Sequence, residues 1–232
     1  MNNIYAATEE RAVIGLDVDA RATFIARTYV HLFGAILAFT GLEFWLYSTG
    51  AMESLAVSLS GNWMLVLGAF MIVGWLATSA AQRARTLPVQ YLALAGFVAA
   101  EAVIFAPLLY YAATQAPGVI QSAALVTLVG FAGLTMIAFW TRKDFSFLGA
   151  LLRWVGVSAL ILIFASLIFG FHMGTWFSVA MVVFAGGAIL FDTSNVLQRY
   201  PEDRYVAASL SLFSSVALLF WYVLRIFLAS RD

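Results

Sequence analysis

Five side chains that carry charge in water, Glu43, Glu101, Arg153, Asp192 and Arg225, stand inside stretches of sequence that are otherwise apolar. A charge at the centre of a bilayer is disfavoured by about 2.5 to 3.5 kcal/mol or more, so each of the five needs a partner, a water-filled cavity or a role. Carboxyls in such a setting can hold and release protons, or stop a cation on its way across. Depth sorts the five. At a rise of about 1.5 Å per residue, Glu101 falls roughly 15 Å along its apolar run, close to the midplane. Glu43 and Arg225 fall toward one side of the membrane, Arg153 and Asp192 toward the other. That ordering suggests two ion pairs, Glu43 with Arg225 and Asp192 with Arg153, and leaves Glu101 without a cationic partner. Pro107 cannot donate to the carbonyl of Val103, so a kink and a freed oxygen near the acid are expected there. Two readings of Glu101 stand side by side: a stop for a proton or cation, and a carboxyl simply hydrogen-bonded to a neighbouring helix. Arg153 and Arg225 also lie near enough to helix ends to reach the headgroups.

Other chemistries drop out. The sequence has no cysteine, which removes disulfides, thiolate metal sites and a cysteine nucleophile. Lys143, the sole lysine, lies in a polar loop, so a retinal Schiff base in the last helix is excluded. His31 and His172 fall at opposite membrane faces and cannot share a zinc ion or a catalytic dyad; both read as solvated polar residues. The chain is expected not to be an enzyme, with no catalytic residue, no cofactor and no firm metal site. Lys and Arg (12) balance Asp and Glu (12), so no basic field points to nucleic acid.

The elements that must position these residues follow from composition. With 63% hydrophobic and 10% charged residues, the chain is far from a soluble domain, which carries about 25% charged residues. Apolar runs fall at 29–49, 62–81, 91–112, 120–140, 148–170, 175–191 and 205–228, each near the length of a spanning helix. Runs this continuous do not alternate as the strands of an outer-membrane barrel must. The expected fold is therefore an all-α integral membrane protein, a bundle of seven transmembrane helices. Residues 1–28 are polar, lack the features of a signal peptide, and read as a tail preceding a transmembrane domain over 29–232. Ten of the twelve basic residues fall on one side, in the tail, in the alternate loops or at Arg153, whereas loops 50–61, 113–119 and 171–174 have none. The positive-inside bias places the N-terminus in the cytoplasm and the C-terminus outside. Gly34, Gly41, Gly130, Gly133, Gly186 and Gly187 read as points of close helix packing.

Two short motifs add to this. The segment after the fourth run reads Thr141-Arg142-Lys143-Asp144-Phe145-Ser146-Phe147-Leu148-Gly149, and the sixth run ends Phe191-Asp192-Thr193-Ser194-Asn195. With the last helix, from Tyr205-Val206-Ala207-Ala208 to Leu224-Arg225-Ile226, they resemble the Bax inhibitor 1 family, above all its bacterial YccA-type branch. The match is clearest over 141–232; in the third run Glu101 and Pro107 are similar to the family pattern, with Ala102 where a glycine is usual. The resemblance implies six helices around a central last one. It also implies a pH-sensitive calcium or proton leak, governed by two aspartates bridging the sixth and seventh helices. Asp192 matches the first of them; the second position is Ser215, and the asparagine expected three residues later is Leu218. Two carboxyls sharing a proton are what make such a pair sensitive near neutral pH, so a hydrogen bond from Ser215 to Asp192 is expected instead, with a different pH response. Members of the YccA branch are associated with the membrane protease FtsH in the inner membrane. Two functions are therefore expected: modulation of FtsH-dependent quality control of membrane proteins, to which a flexible tail is suited, and alternatively a calcium or proton leak through Glu101 and Asp192. The loop Gln198 to Arg204 reads as a solvated turn.

Overall fold

A computed structural model describes residues 12–84 and 86–231 of the chain. Residues 1–11 of the expected tail, and Arg85, lie outside the described residues. A single 3-10 turn, Val13–Gly15, leads into eight helices: α1 (Val18–Ser48), α2 (Ala51–Ser60), α3 (Trp63–Arg83), α4 (Leu87–Gln115), α5 (Val119–Thr141), α6 (Leu148–Phe169), α7 (Gly174–Gln198) and α8 (Tyr205–Ala229). Seven of them are long and apolar enough to cross a membrane. The eighth, α2, has ten residues and lies where a loop is expected from the sequence. Its signal is amphipathic: Ala51, Met52 and Leu55 face α4 and the core, while Glu53, Ser54 and Ser58 are left to the surface.

The first helix begins at Val18, well before the apolar run at residue 29, so the polar stretch 18–28 is helical. The cause is a local cap. Asp17 has extended backbone angles, and its carboxyl accepts the backbone N–H of Ala20 at 2.8 Å, satisfying one of the amides a helix start leaves unpaired. The 3-10 turn before it is also anchored: Val13 is fully buried, and its N–H donates to Tyr200 O at 2.9 Å.

The last helix is central, in that α8 packs on α1, α3, α4, α5 and α7, yet α4 is as deeply buried along its length. These two helices form the spine between two apolar cores. One, at the end where the basic loops gather, centres on Phe24, Phe97, Leu210 and Phe213; the other, toward the opposite end, on Phe105, Leu109, Ile189 and Leu224. α6 stands apart, packing on α7, with Trp154, Leu151 and Ile161 turned outward as a lipid-facing helix requires. Close packing holds at Gly186 and Gly187, where a Cβ would lie 3.4 Å from Leu134 and Leu152 respectively. It does not hold at Gly34, Gly41 and Gly133, which have open space beside them.

Candidate functional site

The ionisable residues within the bundle fall into three separate environments. Asp192, on α7, is met from α8 by Ser215, whose hydroxyl donates to its Oδ2 at 2.5 Å. This is the hydrogen bond expected from the sequence, and it joins the two helices that share the most extensive interface in the fold. Arg153 takes no part. It lies exposed on α6, its Nε donating to Gly149 O at 3.2 Å, and forms no ion pair with Asp192. The reason is its place on α6: Gly149 and Leu152 turn toward Phe191 and Gly187 of α7, while Arg153 is on the exposed face.

Glu101 is buried on α4 and, among the described residues, forms neither a hydrogen bond nor an ion pair. It lines a cavity of about 740 Å³ whose walls come chiefly from α3, α4, α6 and α8. Trp75 of α3 and Leu167 of α6, both in its lining, are exposed, so the cavity opens to the surface of the bundle there. Arg225 lines this same cavity with Trp63, Trp221 and Tyr222, its guanidinium carbon 5.9 Å from the centre of the Tyr222 ring. Val103 lies on the exposed face of α4 while Glu101 faces inward, and the helix is continuous through Pro107.

Glu43 is the third case. Its expected pairing with Arg225 is not formed: Glu43 lines a smaller cavity on another face of α8, and among the described residues both its carboxyl oxygens are buried without a hydrogen-bond partner. Similar depth does not make two side chains neighbours when their helices present them to different sides of the spine. Among the described residues, no group of three or more His, Asp and Glu side chains is arranged to hold a metal ion.

At the basic end, the two sequence motifs turn out to be one structure. The α5–α6 loop lies across the end of α7: Phe145 N–H donates to Ser194 Oγ at 3.1 Å, and that hydroxyl donates to Lys143 O at 3.3 Å. Arg199 forms a 2.9 Å ion pair with Asp144, and Gln198 Nε2 donates to Arg142 O at 3.3 Å. The Ser146 N–H and the Arg199 guanidinium together hold the Asp144 carboxyl below the usual aspartate range. Arg142 itself ends α5 with a φ of 48°, a left-handed turn that a non-glycine residue adopts only when its surroundings hold it there.

The following loop is not a solvated turn. Tyr200 shares a 2.9 Å hydrogen bond with Ser211, and burial, with the nearby Asp192 carboxylate, pushes its phenol well above the usual tyrosine range. Arg204 is buried and donates to Gln82 O. Gln90, also buried, donates to Asp203 O at 3.1 Å and accepts from Ala207 N–H at 3.4 Å. His31 is likewise built in: its Nδ1 lies 2.7 Å from Arg27 O and its Nε2 2.7 Å from the Tyr91 hydroxyl. Since a carbonyl only accepts, Nδ1 carries the proton, and in the neutral ring Nε2 accepts from Tyr91. Polar composition alone does not distinguish such tethered residues from solvated ones.

The fold and these sites define a multi-pass helical membrane protein with uncompensated acids in its interior. The family described as Inhibitor of apoptosis-promoting Bax1 matches residues 21–232, and the chain belongs to this Bax inhibitor 1 family. It is 35% identical over 152 residues to Protein LIFEGUARD 4 of Arabidopsis thaliana, covering 62% of this chain and 59% of that one. It is 38% identical over 115 residues to Bax inhibitor 1 of Schizosaccharomyces pombe, covering 47% and 41%. It is 36% identical over 97 residues to the Modulator of FtsH protease YccA of Escherichia coli, covering 40% and 42%. The chain thus matches about three-fifths or less of the length of these relatives.

Proposed function

We propose that this chain is a membrane regulator that lets calcium ions or protons leak through the bundle in a pH-dependent way. The observation that carries this reading is Glu101, a buried carboxyl facing a cavity of about 740 Å³ with no cation or hydrogen-bond donor joined to it among the described residues. Such a group is costly at mid-membrane unless something that passes makes use of it. Asp192 and Ser215 act as the latch: their hydrogen bond holds α7 to α8, and protonation of Asp192 weakens a charge-assisted contact. A single carboxyl in the latch titrates in one step, whereas two sharing a proton titrate in two. No residue is assigned a catalytic role. The basic loops are placed in the cytoplasm, with the N-terminus there and the C-terminus outside; the membrane is taken to be a bacterial inner membrane.

The test is calcium and proton flux into liposomes carrying the purified protein across pH 5 to 8, with Glu101→Gln and Asp192→Asn beside it. Flux that depends on pH and changes with either substitution supports the leak; flux equal to that of empty liposomes, in folded protein, overturns it. Modulation of an FtsH-type protease is the second reading, favoured by the printed name of the Escherichia coli relative. Co-purification of the full chain with the protease tests it separately. Orientation is directly accessible, because the sequence has no cysteine: Ser60→Cys and Ser146→Cys should react with an impermeant thiol reagent from opposite faces.

A further inference from the structure

The smaller cavity, of about 220 Å³, is lined by neither Glu101 nor Asp192, the two acids assigned to the leak above. Glu43 reaches into it from α1, Thr127 from α5, and Phe39, Phe213 and Phe220 form apolar walls. Ala217 is the single residue shared with the larger cavity's lining, so the two are distinct chambers on adjacent faces of α8. Glu43 is 7% exposed and Thr127 3%, and among the described residues neither the two carboxyl oxygens nor the threonine hydroxyl has a hydrogen-bond partner. Thr40, in the same lining, gives its hydroxyl proton to Ile36 O at 2.8 Å, which leaves its oxygen free to accept. The chamber therefore gathers acceptors and offers no basic side chain to meet them; Arg225 lines the other cavity.

What would satisfy this set is limited by its chemistry. Calcium takes about six to eight oxygen ligands, more than one carboxyl and two hydroxyls supply. Water needs two to four polar partners per molecule, and apolar walls surround so few polar atoms that a chamber of this size is poorly served by water alone. An ammonium group brings three N–H donors, matching one carboxyl and two hydroxyl oxygens, and aromatic faces tolerate a nearby cation. Thr40 of α1 and Leu128 of α5, both in the lining, are exposed on the outer surface of the bundle, so the chamber opens sideways toward lipid. We infer that the Glu43 chamber binds a small hydrophobic primary amine from the bilayer, its ammonium held by Glu43, Thr127 and Thr40 and its hydrocarbon body against the three phenylalanines.

The test uses the full chain in phosphatidylcholine nanodiscs, with n-hexylammonium as the probe and n-hexanol as its uncharged match, read by the shift in thermal unfolding. The amine is expected to raise the midpoint in a saturable way at concentrations where the alcohol does not. Thr127→Val should weaken half-saturation several-fold, Glu43→Gln should remove the response, and Glu101→Gln, which reports on the leak, should leave it intact. If Glu43→Gln does not fold, Ala124→Phe, which fills the chamber and keeps the carboxyl, takes its place. Equal shifts from amine and alcohol, no shift at all, or a response undiminished by the chamber variants would overturn the inference.

Discussion

Gly149 lies so close to the ring of Phe191 that a Cβ on the glycine would fall 2.8 Å from Phe191 Cε2. The glycine closes the α5–α6 loop motif and the phenylalanine opens the motif at the end of α7, so the two segments that carry the family resemblance are in van der Waals contact. Gly149→Ala should displace the ring and loosen the clasp, destabilising the protein by about 1 to 3 kcal/mol, the usual cost of overpacking. Gly133→Ala, on α5 with open space beside it, should be neutral or stabilising by up to about 1 kcal/mol through helix propensity. Thermal unfolding of the two variants in one detergent compares them, and equal destabilisation would deny Gly149 its packing role.

The same clasp predicts a pH dependence. Asp144 is held below its ordinary value of 3.8 by the Ser146 N–H and Arg199. A carboxyl lowered on folding adds stability above its unfolded value and loses it as pH falls through the folded one. The contribution of Asp144 should therefore be full at neutral pH, begin to fade near pH 4 and be gone once the pH is below the lowered folded value. Both partners are about half exposed, so the effect is small and screened by salt. The check is the difference in unfolding midpoint between the unchanged protein and Asp144→Asn, which should shrink as the medium is acidified.

Seven spans, their order and the residues at which acids enter the membrane were legible, because long apolar runs and isolated charges are local features of sequence. The hydrogen bond between Asp192 and Ser215 was legible through the resemblance, since positions on a shared fold keep their neighbours. The pairings of Glu43 with Arg225 and of Asp192 with Arg153 were not, because depth along a helix fixes one coordinate while rotation about its axis decides the partner. The helical stretch from Val18 had a signal, Asp17 in a capping position with Asp19 in the first turn. The buried state of Tyr200, Arg204 and Gln90 had none, since loop polarity reads the same whether water or another loop covers it.

The latch separates two kinds of loss. Ser215→Ala removes the donor and leaves a carboxyl oxygen of Asp192 without its partner, which costs about 1 to 3 kcal/mol when the oxygen stays buried. Asp192→Asn keeps a side chain able to accept from Ser215 and should destabilise less. Ser215→Asp would place two carboxyls where one stands now, and a pair sharing a proton titrates in two separate steps, so the pH response should broaden and shift along the pH axis. Unfolding midpoints of the first two variants, and flux against pH for the third, read these outcomes; a flux profile for Ser215→Asp that coincides with that of the unchanged protein would remove the latch from the gating path.

Gln90 supplies from α4 what α8 lacks at its own start. The residue at the cap position of α8 is Arg204, whose side chain has donors only and cannot accept from the first amides of the helix. Gln90 Oε1 accepts the N–H of Ala207 instead, while its Nε2 donates to Asp203 O just before the helix. At 1% exposure, neither end has water to fall back on. Gln90→Leu keeps the apolar contacts but strands the buried N–H of Ala207 and removes a donor from the Asp203 carbonyl. The expected cost is about 1 to 3 kcal/mol for each group left unsatisfied, much more than for an exposed glutamine such as Gln115 replaced in the same way. Because the bond ties α4 to the α8 terminus, amide exchange should quicken first at Ala207 and its neighbours, and a Gln90→Leu protein with unchanged exchange there would show that α8 begins stably without help from α4.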